Sequence, residues 1–329
     1  MAARRGVARS LFVLAAFASL AACSSTAYQA PLTFRKNVQL PADTGRPSVD
    51  LLNLDPRRNR LYVPHSSTNS LDLVDLSSER LIGSVPGLSG VRATAVISDP
   101  AFIFTSNSGD GTVSVVDVVN MKVVATLTVG GSPDAMAYDP AHNLVVVSLG
   151  SDNAVGFIDA TSRKLLGKLD VPGKPELMAV DQTQGLIYLA INNKDEVVAI
   201  DPVARTLAKT YKGCDIKAPS GVAYDPDQQR LFVAGKKEVS VIDVVLDRCL
   251  GAIDTGSGPD QIAFNAHTHH LYTANAGSRN VSVIDTISLK PLGVVGTGPD
   301  AATIAVDSTT DKVFVAVGRA GIVAIFHDP

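Results

Sequence analysis

From residue 34 onward the chain alternates short apolar runs with polar clusters rich in Asn, Ser, Gly and Asp. The runs favour Val, Ile and aromatic residues, as in Leu61-Tyr-Val63, Ile103-Phe-Thr105, Leu231-Phe-Val233 and Val313-Phe-Val315. Such side chains fit a pleated, half-buried surface, so the runs predict strands. The pattern also repeats. Asp75, Asp117, Asp159, Asp201, Asp243 and Asp285 each end an apolar run, and the steps between them are all 42 residues. One further step reaches His327. A second marker precedes each of these: Asp55, Asp99, Asp139, Asp181, Asp225, Asn265 and Asp307. Pro follows it at 56, 100, 140 and 226, and Asp-Pro is turn chemistry.

Each copy therefore reads as strand A, an Asp turn, strand B, a polar loop, strand C and strand D. Repeats of about 40–45 residues holding four strands have the spacing of propeller blades. Two residues before the first marker stand Asn53, Ile97, Ala137, Ala179, Ala223, Ala263 and Ala305. Small residues at one register fit the innermost strand, where blades crowd the axis. The seventh copy lacks a strand D, and Phe34-Arg-Lys-Asn-Val-Gln-Leu40 has the character of the missing one. The expectation is an all-β, seven-bladed propeller over 34–329 whose N-terminal strand completes the last blade and leaves no open seam.

The repeats resemble those of the YVTN β-propeller family. Tyr272-Thr-Ala-Asn275, Val281-Ser-Val-Ile-Asp285 and Gly298-Pro-Asp300 carry the resemblance best, followed by Phe104-Thr-Ser-Asn107, Val113-Ser-Val-Val-Asp117 and Ser132-Pro-Asp134. It covers residues 34–329 and implies the fold, not an activity, because such scaffolds host binding proteins, lactonases, lyases and cofactor enzymes. Trp is absent, which removes the WD-repeat and quinoprotein alcohol dehydrogenase readings.

The first residues differ in kind. Arg4, Arg5 and Arg9 precede an apolar stretch, Leu11–Ala22, too short to span a bilayer well, so 1–22 reads as a signal peptide. Leu20-Ala-Ala-Cys23 resembles a bacterial lipobox, which implies acylation of Cys23 and a tether over 23–33. Ser24, rather than Asp, implies the periplasmic side of the outer membrane. Gly6-Val-Ala8 lacks the apolar pair expected of twin-arginine export.

The formal net charge is −3, and removing 1–22 leaves 26 basic against 32 acidic side chains. That balance argues against nucleic acid, whose binding draws on a basic surface. No nucleophile-elbow, phosphate-loop, haem-attachment or metalloprotease motif occurs.

Candidate chemistry lies in departures from the repeat. Five residues before the first marker stand Asp50, Thr94, Asp134, Glu176, Ser220, Asp260 and Ala302, with Asp300 nearby. These acids are expected at the channel mouth, facing a cation or basic ligand, although acids starting strand A and bonded to neighbouring backbone would give the same repetition. His65, in the first B–C loop, stands where other copies have Asn107 or Asn275, and is a candidate base, metal ligand or loop hydrogen-bonder. Arg46, Arg92 and Arg319 fall near the same face. His267, His269 and His270 fall in an A–B turn on the opposite face without a metal-ligand pattern. Cys214 and Cys249 are expected on opposite rims, too far apart to bond.

The reading as a whole is a lipid-anchored monomeric propeller that binds a small ligand or a periplasmic protein, with no cofactor, metal or assigned catalytic residue. A lactonase-like hydrolase using His65, a rim acid and Arg is the alternative, followed by an accessory holding a metal or redox cofactor.

Overall fold

A computed structural model describes residues 31–43, 45–99 and 101–329. The segment expected to be a signal peptide, 1–22, and Cys23 lie outside the described residues. Seven antiparallel sheets of four strands form seven blades. Blade 1 comprises Asn53–Asp55, Arg60–His65, Ser70–Asp75 and Arg80–Pro86, as strands A to D. Blade 7 comprises Thr303–Asp307, Lys312–Val317 and Ile322–His327, completed by Thr33–Gln39 as its strand D. The closing pair runs antiparallel from Thr33 opposite His327 to Gln39 opposite Ile322. The expected seven-bladed propeller with its N-terminal closure is the observed fold.

Strands B and C are buried on both faces, because each blade is covered by a neighbour on either side. Leu144–Leu149 and Glu196–Asp201 show the resulting near-continuous burial. The D strands alternate exposed and half-buried positions, as along Lys164–Asp170, since only their inner face is covered. The repeated aspartates are turn caps. Asp181 Oδ1 accepts from the amides of Thr183 and Gln184, and Asp201 Oδ1 from those of Val203 and Ala204.

Strand pairing corrects the register of blade 2. Val96 pairs with Ile103 as Tyr138 pairs with Val145, which puts Ile97, not Asp99, at the first marker. Asp99 lies two residues further into a longer turn and caps the Ala101 amide there. The inner-strand register is therefore Asn53, Ala95, Ala137, Ala179, Ala223, Ala263 and Ala305: six alanines and one asparagine.

The expectation about the cysteines is overturned. Cys214 and Cys249 form a disulfide, with Cα atoms 5.4 Å apart. Adjacent strands rotate by about 20–25°, so by the third pairing strand D has turned far from the axis. Strand D of blade 4 (Thr206–Lys212) thus ends beside the start of strand D of blade 5 (Arg248–Asp254), where Lys209 also pairs with Asp247 at 2.7 Å. Opposite rims in sequence become neighbours along the outer circumference.

Candidate functional site

The corrected register rebuilds the channel mouth. Five residues before the first marker now stand Asp50, Arg92, Asp134, Glu176, Ser220, Asp260 and Ala302. The backbone confirms the equivalence, because the residue after this position donates to the same position of the next blade. Leu51 N bonds Arg92 O at 3.0 Å, Leu177 N bonds Ser220 O at 3.2 Å, and Gln261 N bonds Ala302 O at 3.1 Å. Arg92 therefore sits in the ring, while Thr94 lies deeper on the channel wall with its hydroxyl buried and unbonded.

Four acids and one arginine thus face one opening, joined by Lys174 from the crossover before blade 4. Arg92 Nη1 lies 2.9 Å from Asp50 Oδ2, and Arg92 Nε donates to Ser108 Oγ. Lys174 Nζ lies 2.5 Å from Glu176 Oε1. Among the described residues the carboxylates of Asp134 and Asp260 make no hydrogen bond or ion pair. Those two acids are not committed to neighbouring backbone.

Electrostatics agree with a crowded mouth. Burial pushes Asp50 up to about 7 despite Arg92, helped by the charges of Asp134 and Asp260. Burial raises Asp260 to about 6, with Glu176 and Asp134 adding repulsion and Lys174 and Arg92 opposing it. Asp134 is also raised by burial, against the pull of Arg92 and Lys174. Arg92 is raised in turn, chiefly by Asp50.

Beneath the ring, Leu51, Ala93 and Ala135 pack together with Leu177 and Met136 as an apolar collar. A cavity of about 200 Å³ adjoins it, lined by Leu51, Met136, Leu177, Val222 and Gln261 among others. Gln261 reaches two further blades: its Oε1 accepts from Leu52 N and Ile304 N, and its Nε2 donates to Leu52 O. One side chain therefore ties blade 6 to blades 7 and 1. Blades 5 and 6 meet closely at Gly221, where a Cβ would stand 2.2 Å from Asp260 O. Neither Gln261 nor Lys174 was singled out in the sequence. The signal for Gln261 is a long polar side chain at a register that holds Leu51, Ala93, Ala135, Leu177, Gly221 and Thr303 in the other copies.

The remaining candidates lie elsewhere. Asp300 stands on the rim between Arg319, at 2.6 Å, and Arg46, at 3.5 Å. His65 ends strand B of blade 1 and is fully buried. Its Nδ1 lies 2.8 Å from Asp72 Oδ2, Ser84 Oγ donates to Asp72 Oδ1, and its Nε2 is 3.9 Å from Asp43 Oδ2. At the same register Asn107 bonds Ser114, and Asn275 bonds Ser282. His65 and Asp72 thus stand in for the Asn–Ser brace of other blades. On the opposite face His267 pairs with Asp311 and His270 with Asp328. Among the described residues no three His, Cys, Asp or Glu side chains are arranged to hold a metal ion.

No family model matches the chain, and no curated protein matches it. Among solved structures it is similar to Kuenenia stuttgartiensis hydrazine synthase, at 16% identity and a TM-score of 0.78, over 86% of this chain and 96% of that one. At that identity the likeness concerns the fold alone.

Proposed function

We propose that the chain is a non-catalytic binding module whose channel mouth receives a cationic group, an amine or guanidinium, of a small ligand or a protein partner. The observation that carries this reading is the pair of uncommitted carboxylates, Asp134 and Asp260, across a mouth that also holds Asp50 and Glu176. A cation placed among them relieves the repulsion that burial intensifies. The presence of Arg92 and Lys174 among the acids favours an extended organic cation over a bare metal ion. His65 is sealed from solvent, so a hydrolase using it as base has no route for substrate.

In this reading the protein is a monomeric YVTN-type propeller, exported and lipid-anchored through Cys23 on the periplasmic side of the outer membrane, without cofactor or nucleic-acid partner. The N-terminal pattern supports export, and the Cys214–Cys249 bond supports an oxidising compartment. Calorimetric titration with spermidine and a short oligolysine peptide tests the mouth. Binding is expected to weaken at least about tenfold in Asp134→Asn/Asp260→Asn, the loss of roughly two charge-assisted contacts. Equal affinity in that variant would remove the proposal.

A further inference from the structure

The face opposite the mouth carries a second pattern, at the C–D turns. In these turns the second residue after the capping Asp is Val119 in blade 2, Val203 in blade 4, Val245 in blade 5 and Ile287 in blade 6. These are 71%, 58%, 54% and 48% exposed, and Leu246 beside Val245 is 64% exposed. They project from short turns held by aspartate: Asp117 accepts from Val119 N, Asp201 from Val203 N, and Asp243 from Val245 N and Leu246 N. The turns that carry the tips are therefore held in place, and the tips stand exposed. Three of the four blades, 4, 5 and 6, are consecutive.

A basic residue accompanies most tips. The first residue of strand D is Lys122 in blade 2, Arg248 in blade 5 and Lys290 in blade 6, with Arg80 and Lys164 at the same register in blades 1 and 3. All five are exposed, and among the described residues their side chains make no hydrogen bond or ion pair. Asp201, Asp243 and Asp285 each spend one oxygen, Oδ1, on backbone amides of their turns. Apolar tips flanked by free cations match a bilayer interface, where the tips reach the acyl boundary and the cations meet phosphate.

The chain itself indicates which way this face points. Thr33 pairs with His327, at the register where Arg80 pairs with Asp75 and Lys122 with Asp117. Pro31 and Leu32 thus stand where blade 7 would have its C–D turn, next to blade 6. Pro31, the first described residue, therefore lies on this face. Nine Cα-to-Cα steps separate Cys23 from Leu32, a span of about 30 Å at full extension.

We infer that the C–D face docks on an anionic phospholipid bilayer, with Val119, Val203, Val245, Leu246 and Ile287 at the interface and the acidic mouth turned away. The inference rests on the lipid-anchor reading for its orientation, and the two are separable by experiment. The chain has no Trp, so Leu246→Trp gives a single reporter on the C–D face and Lys236→Trp one on the mouth face. Each full-length protein is reconstituted with phosphatidylglycerol/phosphatidylcholine vesicles containing brominated acyl chains.

Quenching of the Leu246→Trp emission at least about twofold stronger than that of Lys236→Trp is expected. Lys122→Glu/Arg248→Glu/Lys290→Glu in the Leu246→Trp background is expected to lose most of that quenching. Equal quenching of the two reporters overturns the inference, as does a blue shift of Leu246→Trp that grows with protein concentration in the absence of lipid, which would mean a second copy. Intact mass reports acylation of Cys23 independently. An acylated chain with equal quenching leaves the anchor and removes the docking. An unacylated chain with selective quenching does the reverse.

Discussion

Arg92 stands between Asp50 and Asp134 in the ring of the channel mouth, yet of these two acids it bonds Asp50 alone, at 2.9 Å. The mouth is thus a line of four acids with one closed pair next to Asp50, a second next to Glu176, and open carboxylates at Asp134 and Asp260. Arg92→Ala is expected to raise Asp50 above its present value near 7. NMR titration of the aspartate side chains checks this.

The raised acids make stability depend on pH in a defined direction. Unfolded, each ionises near 3.8; folded, Asp50 holds its proton to about 7 and Asp260 to about 6. Between these values the folded chain binds more protons than the unfolded one, so this contribution to stability falls as pH rises. Acids elsewhere are shifted the other way, Asp117 by hydrogen bonds to Asn120 among them. The test is therefore a difference: Asp50→Asn/Asp260→Asn should gain thermal stability over the native chain between pH 5 and 8 and show no gain near pH 4. A constant offset across that range would show that the acids do not titrate as described.

At His65 the two substitutions are expected to be non-additive. His65→Ala removes a partner from the fully buried Asp72 and should cost about 3–5 kcal/mol. His65→Asn/Asp72→Ser rebuilds the brace of blades 2 and 6 and should lie within about 1.5 kcal/mol of the native chain. Urea denaturation of the single and double variants separates a structural pair from a functional one.

Reduction of Cys214–Cys249, which closes a loop of 35 residues, should lower stability by about 3–4 kcal/mol. Intact mass before and after reductant, followed by a melt, gives both the bond and its effect.

Gln261→Ala leaves two amides and one carbonyl of the inner strands without their partner, an expected loss of about 2–4 kcal/mol. Hydrogen exchange should show the loosening first at Leu52 and Ile304, the two amides that bond its Oε1.

Much of this was legible in the sequence, and what was not has a common cause. The 42-residue step fixes seven copies because capping aspartates must recur wherever a four-strand unit turns. It misplaced one ring member because Asp99-Pro100 makes an equally good turn two residues late, and only pairing of Val96 with Ile103 reveals the shift. The ring's acids were readable from their register, but Arg92 belonged among them and Thr94 did not. The disulfide was missed because linear spacing locates a residue along a strand and says nothing of the twist accumulated across a blade. Gln261 works through partners on two other blades, 43 and 209 residues away, which no local pattern encodes.

The pairing of Thr33–Gln39 with Ile322–His327 also sets the order of events during synthesis. Thr33–Gln39, the first strand among the described residues, finds its partner only after the strands of the other six blades have been made. Until then the arc stays open, with the inner face of blade 7 uncovered and blade 1 lacking one neighbour. Earlier blades form from local hairpins, which are quick, but the ring locks in a single late step between distant segments. That interval, rather than the finished protein, is when the chain is most open to proteolysis and to pairing with another copy of itself.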